Sequence, residues 1–393
     1  MKPLSTWKAI RMTAAAAMVL STACGGNSMA GGISNTEVVV GTILDLSGPV
    51  AMLGEHYRQG MQMRYDEVNA AGGVFGRKIR MITEDSGWDT KKAVLATRKL
   101  LDKDDVFALI NVLGSSIAVA TTPLALEKGV PNLFPAAPVD VAFKPISPLK
   151  YATEMPYDMQ VPIGVRYLTK MAGYKKVGVI YQDDDFGKDV VKGLTEITKE
   201  LGQPICEKSS FRRGSTDFAS QVARMKQAGC DLVVIGGSTR ETIGIMGEAR
   251  KLDWSPGFMV TSSAYSAQLH VLGGPVVNGL YSTVAWPHPY ADGANPKLAT
   301  WIKAYKERYK ADPSPFATAG YIKGDMFVKA LEQTGKALTT EAFVKVMGNF
   351  SYTDGEMFGV PRIHFDSSNH LGLRTVRMGQ VRDGRWQLIS ESL

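Results

Sequence analysis

The chain has 393 residues, 45% hydrophobic and 21% charged. That length exceeds what one core usually supports, so two domains are expected, and the composition excludes disordered and fibrous classes. The formal charge of +7 comes without a dense Lys/Arg run interleaved with aromatics, which argues against a nucleic-acid surface.

The N-terminus reads as an export signal. Lys2, Lys8 and Arg11 precede the apolar run 12–20, small residues follow at Ser21-Thr22-Ala23, and residues 1–30 contain no acid. The run is too short for a bilayer core, which takes about 20 apolar residues. Two maturation routes compete. Cys24 stands where a lipoprotein signal carries its acylated cysteine, ahead of the flexible Gly25-Gly26-Asn27-Ser28; cleavage after Ala30 would discard it instead. Residues 1–30 are therefore read as signal peptide and tether. The mature protein is expected to be periplasmic, with a lipid anchor in the first case.

From residue 37 short β-branched runs alternate with longer amphipathic stretches, the pattern of parallel sheets with crossover helices. Strands are predicted at 38–44, 78–84, 107–112 and 132–135, with helices at 54–70, 91–101 and 117–128. A second series begins near residue 160. Its helices are predicted at 161–172, 189–201, 217–228 and 241–252, its strands at 176–181, 205–211, 231–236 and 257–262. Beyond it, 281–286 reads as extended, 296–310, 317–334 and 340–347 as helical, and 362–366, 374–381 and 386–390 as extended again. Cys206 and Cys230 fall at the starts of two strands that flank a third. Two strand spacings of about 4.8 Å exceed the Cα separation that a disulfide tolerates, so two buried free thiols are expected.

In open parallel sheets ligands sit beyond the carboxyl ends of the strands, where loops meet helix N-termini. That rule nominates Asp45–Gly54, Leu113–Ser116 and Pro135–Pro138 in the first series. In the second it nominates Gln182–Gly187, Gly237–Thr239 and Ser262–Tyr265. Ser115 and Ser116 open a helix after a glycine, so their hydroxyls and free amides suit a carboxylate. Enzymatic signatures are missing from the sequence: no G-x-G-x-x-G, no phosphate-loop lysine, no G-x-S-x-G and no H-E-x-x-H, and the five histidines are scattered. No catalytic residue, metal or cofactor is expected.

Val40-Gly41, Leu46-Ser47-Gly48-Pro49, Asn69–Gly76, Gly129-Val130-Pro131, Pro135-Ala136-Ala137 and Asp185-Phe186-Gly187 together resemble the leucine/isoleucine/valine-binding family of ABC importers. The likeness runs from about residue 37 to 390. It implies the type I periplasmic-binding fold, two doubly wound parallel-sheet α/β lobes joined by three hinge crossings. Those are placed near Glu154–Asp158, Ser282–Trp286 and Gly359–Ile363. The first lobe is then 36–156 plus 286–358 and the second 157–283 plus 361–390.

The resemblance further implies a monomeric receptor that closes on a small-molecule ligand and presents a joined surface to an ABC permease in the inner membrane. A sensory receptor signalling to a partner protein is the alternative on the same fold. Amino-acid binders of the family hold the ammonium with a hydroxyl residue and a second-lobe acid. Here Pro138 and Ser262 fall at those places, Leu53 replaces an aromatic of the first loop and Ser238 one of the second lobe. The carboxylate donors at Ser115, Ser116 and Ala136 remain, with Ala137 beside them. The expected ligand carries a carboxylate or neutral polar head on an apolar or aromatic body, walled by Met52, Leu53, Phe186, Tyr265 and Trp286. Asp183, Asp184 or Glu241 is left as a substitute for the missing acid.

Overall fold

The structure, a computed structural model, describes residues 31–393, so the export signal and Cys24 lie outside the described residues. The first lobe opens with β1 (Glu37–Leu44), α1 (Ala51–Ala70), β2 (Lys78–Asp85), α2 (Thr90–Asp102), β3 (Ala108–Ile110), α3 (Ser115–Glu127), β4 (Asn132–Leu133) and β5 (Lys150–Tyr151). The second runs through α4 (Tyr157–Ala172), β6 (Val177–Gln182), α5 (Asp185–Glu200), β7 (Lys208–Phe211), α6 (Ala219–Gln227), β8 (Leu232–Gly236), α7 (Thr239–Lys251), β9 (Gly257–Val260), α8 (Ala267–Gly273) and β10 (Tyr281–Val284). The chain then returns to the first lobe for α9 (Pro296–Tyr309), α10 (Pro315–Thr334), α11 (Thr340–Met347), β11 (Ser351–Tyr352) and β12 (Ile363–His364). It ends in the second lobe with β13 (Arg377–Arg382) and β14 (Arg385–Leu388). Among the described residues no helix is long and apolar enough to cross a membrane.

Each lobe is built on a mainly parallel sheet. The first has the order β2-β1-β3-β4-β5, the second β14-β13-β10-β9-β8-β6-β7, with β13 and β14 added antiparallel at one edge. β8 is buried along its whole length, which is why Leu232–Gly236 reads as an unbroken apolar run instead of an alternating one. Strand order reverses between β1 and β3 in one lobe and between β6 and β8 in the other, and the loops leaving these strands meet at a single cleft. On the first lobe's face α1 crosses α10 at two glycines. A Cβ on Gly60 would lie 2.0 Å from the Ala317 carbonyl, and one on Gly320 2.3 Å from that of Tyr57, so the helices approach to backbone contact.

Two expectations need correction. The third crossing does not lie at Gly359–Ile363. Ile363 pairs with Tyr352, and Phe365 stacks on Phe134 and Phe350 and packs against Tyr151 in the first lobe's core. Residues 361–371 therefore stay with the first lobe, and the chain crosses at 373–376. There it runs beside the first crossing, with the Gly372 and Leu373 amides donating to the Ala152 and Thr153 carbonyls, each at 2.8 Å.

Cys206 and Cys230, expected as free thiols, form a disulfide with Cα atoms 5.9 Å apart. Both precede their strands, where the chain bends over the middle strand β6. Gly178 lies beneath the bridge: a Cβ there would meet Cys230 Sγ at 2.9 Å and Cys206 Sγ at 3.1 Å. The missing side chain lets the disulfide cross, and flat strand spacing does not describe that point.

Candidate ligand-binding cleft

The loops at the carboxyl ends of both sheets enclose a cleft whose empty space, mouth included, is about 840 Å³. Its first-lobe wall is set by Asp45, fully buried, whose carboxylate accepts the Gly48 amide at 2.6 Å and the Val50 amide at 2.9 Å. This fixes the turn that delivers Pro49, Val50 and Leu53, and Tyr57 follows one helical turn along α1 on the same face.

Beside them α3 begins at Gly114, held at φ +108 where a Cβ would also press on the Trp88 ring at 3.0 Å. This helix start has no side-chain cap. The Ser115 hydroxyl, on a residue only 6% exposed, has no protein partner among the described residues and lines the cleft. Uncapped first-turn amides carry the positive end of the helix dipole, so this point can receive an anion.

The second lobe is arranged differently. Asp184 caps α5 through the Gly187 amide at 3.3 Å, and Ser238 with Glu241 forms a reciprocal capping box on α7. The starts of α5 and α7 are thus occupied by their own carboxylates. Among the starts of α3, α5 and α7, the one on α3 has no side-chain cap.

A polar cluster closes the hinge side. Glu154 of the first crossing accepts from Lys323 Nζ at 2.8 Å, and the same ammonium donates to Asn111 Oδ1 at 3.0 Å. It also sits 5.0 Å from the Tyr57 ring centroid and 5.8 Å from that of Trp286. Lys323 is fully buried; burial pulls its pKa down, against the pull of Glu154. Tyr57 and Tyr157 line the cleft beside Glu154, and burial, then the Glu154 charge, pushes both phenols well above the usual tyrosine range.

At the mouth the lobes touch. Arg213, in the loop after β7, donates Nη1 to the Trp88 carbonyl of the opposite lobe at 2.7 Å, stacks its guanidinium 5.0 Å from the Trp88 ring centroid, and pairs with Asp184 on its own lobe.

Of the residues nominated from sequence, the cleft brings together Leu53, Ser115, Ala136, Pro138, Phe186, Ser238 and Ser262, with Trp286 from the second crossing. It does not bring in Ser116, Ala137 or Tyr265. Ala137 packs behind the wall with Ala118 and Val139, and Tyr265 is buried against Trp386, ring centroids 4.7 Å apart. Met52, 50% exposed, points away from the wall as well. Nor is the Ala136 amide a free donor, because it is held by the Val112 carbonyl at 2.9 Å.

The second-lobe wall also contains an acid, Glu241, only 4% exposed. Tyr57, Trp88, Glu154, Tyr157 and Arg213 went unnominated. The signal for Trp88 was its place after the carboxyl end of β2, and that for Tyr57 its spacing of four from Leu53.

A family model of the periplasmic binding proteins matches residues 37–385. The Leu/Ile/Val-binding protein homolog 8 of Brucella abortus is 23% identical over 361 residues, covering 89% of each chain. Among solved structures, a fatty acid ABC transporter substrate-binding protein from Thermomonospora curvata superposes with a TM-score of 0.84 at 24% identity, covering 93% of this chain and 94% of that one. An ABC transporter solute-binding protein from R. palustris in complex with benzoate gives 0.79 at 18% identity, with coverage of 91% and 97%. At these identities the structural likeness carries the fold, and the ligand has to be argued from the cleft.

Proposed function

This chain belongs to the periplasmic binding protein family, and on that premise we propose that it is the extracytoplasmic receptor of an ABC importer for a small organic carboxylate with an apolar or aromatic body. The observation that carries the reading is the uncapped start of α3 facing a slot walled by Leu53, Phe186, Trp286 and Phe316. An anion there gains the first-turn amides and the Ser115 hydroxyl, and the apolar walls take the rest of the molecule out of water. The two structural relatives are named for a fatty acid and bound to benzoate, ligands that share that plan.

Export is supported by the N-terminal segment and by the Cys206–Cys230 disulfide, which suits an oxidising compartment. Attachment through Cys24, a monomeric state and docking on a permease complete the proposal. Closing the lobes over the solute without covalent chemistry is the whole of the task.

Glu241 favours a second reading. A carboxylate on the second-lobe wall, opposite the α3 start, suits the ammonium of an α-amino acid. A thermal-shift panel separates the two, since a ligand that binds only the folded state raises its melting temperature by mass action. Aromatic and aliphatic acids are expected to stabilise the mature protein more than leucine, isoleucine or valine. Stabilisation by the amino acids alone would transfer the proposal to the second reading, and stabilisation by neither class would end both.

A further inference from the structure

The hinge side of the cleft holds a second polar station that the carboxylate reading leaves unused. Glu154 is 5% exposed and lines the cleft. Its Oε1 is occupied by Lys323 Nζ, and its other carboxylate oxygen has no protein hydrogen-bond partner among the described residues. Tyr57 and Tyr157, 3% and 7% exposed, line the cleft alongside, and their hydroxyls likewise have no protein partner among the described residues. Trp286 adds to the same wall a buried indole N–H that has no partner among the described residues. A desolvated acceptor and several desolvated donors have thus been gathered where the protein itself supplies no match, which native interiors rarely do.

The charge on this station is already balanced. Lys323, fully buried, faces Glu154 at 2.8 Å, so the pair carries no net charge, and a further cation would be drawn to Glu154 but repelled by the ammonium beside it. A neutral hydroxyl fits better, because it donates to the free carboxylate oxygen and accepts from a tyrosine O–H or the indole N–H. We propose that Glu154, held by Lys323 and flanked by Tyr57 and Tyr157, is a specificity-determining subsite for a ligand hydroxyl, so that the solute is a hydroxylated organic acid. This deepens the reading of the cleft given above and rests on it: the carboxylate goes to α3, the hydroxyl to the hinge side.

The test uses matched acids and calorimetry on the mature protein. Benzoate, 4-hydroxybenzoate and 4-methoxybenzoate form one series, hexanoate and 6-hydroxyhexanoate another. In at least one series the hydroxylated acid is expected to bind tenfold or more tightly than its deoxy and methoxy partners, because those leave the Glu154 oxygen buried and unpaired. In the double variant Glu154→Gln/Lys323→Met, which removes both charges together, that preference is expected to fall below threefold. The comparison in the unmodified protein needs no variant and stands if the double variant fails to fold. Acids that bind with equal affinity with and without the hydroxyl overturn this subsite and leave the carboxylate reading intact. Tighter binding of 4-(aminomethyl)benzoate than of 4-hydroxybenzoate overturns it in favour of a cation site, and no binding in either series overturns the carboxylate reading and the subsite together.

Discussion

Replacing Arg213 by methionine tests whether the contact at the cleft mouth sets the balance between open and closed lobes. The ion pair with Asp184 lies within the second lobe and persists when the lobes part, so it cancels from the comparison. What closure alone gains is the 2.7 Å hydrogen bond to the Trp88 carbonyl and the stacking on its ring. A hydrogen bond from a charged donor contributes about 1.5–3 kcal/mol, and the lower end applies because the Arg213 side chain keeps 28% of its exposure. Cation–π stacking at such a site adds about 0.5 kcal/mol. A loss of about 2 kcal/mol from the closed state corresponds to roughly a thirtyfold change in the closed-to-open ratio. Methionine keeps an apolar stem over the indole, so the substitution removes charge more than packing. Small-angle scattering of the ligand-free protein is expected to show a larger radius of gyration in the variant, and calorimetry with its best-binding acid a weaker affinity by up to that factor. Identical scattering profiles together with affinities within twofold would show that this contact does not set the balance between open and closed lobes.

Ser115→Ala removes one hydroxyl from the α3 start but leaves its amides, so acid affinity is expected to weaken about fivefold, as for one hydrogen bond near 1 kcal/mol, with the melting temperature unchanged; unaltered affinity by calorimetry removes the serine from the site. Cys206→Ala/Cys230→Ala opens a closed loop spanning a sequence separation of 24, which corresponds to about 3 kcal/mol of chain entropy and a fall of several degrees in melting temperature by calorimetric scan; a change under about 2 °C would refute a stabilising role. Asp189 is pushed up to about 7, first by burial and then by Asp158 and the opposite lobe's Asp140. The folded protein therefore holds that proton more tightly than the unfolded chain, and this group's contribution to stability falls as pH rises from about 4 to 7. Asp189→Asn is expected to remove that decline, so its melting temperature gains on the unmodified protein across the window; parallel curves would show that the carboxyl does not titrate there.

Much of the fold could be read because its central strands are buried on both faces. Runs such as Val38–Leu44 and Leu232–Gly236 are uncharged and rich in β-branched residues, and the amphipathic helices between them supply the parallel connection. What escaped was short or depended on distant partners. β5, only two residues long, has no periodicity to detect. The third crossing, placed from the resemblance, was misplaced because Phe365 is held by aromatic rings far away in sequence. The disulfide depended on one glycine in a neighbouring strand. Lys323 and Asp325 are buried charges on α10, but nothing local ties Lys323 to Glu154.

On the proposed carboxylate reading, the unequal helix starts also order the events of binding. An anion approaching the open cleft finds free amides and the Ser115 hydroxyl on the first lobe, while Asp184 and Glu241 hold the corresponding positions on the second and repel it. Loading therefore begins on the first lobe. With the ligand seated there, Glu154 and Tyr57 are already on the same side, carried by the first crossing and by α1. Closure then brings Phe186 and Ser262 over the apolar body and draws Arg213 onto the Trp88 carbonyl. Under this proposal a solute lacking the anionic head is expected to fail at the first step, whereas one lacking a group to match Glu154 is expected to load but gain less from closing.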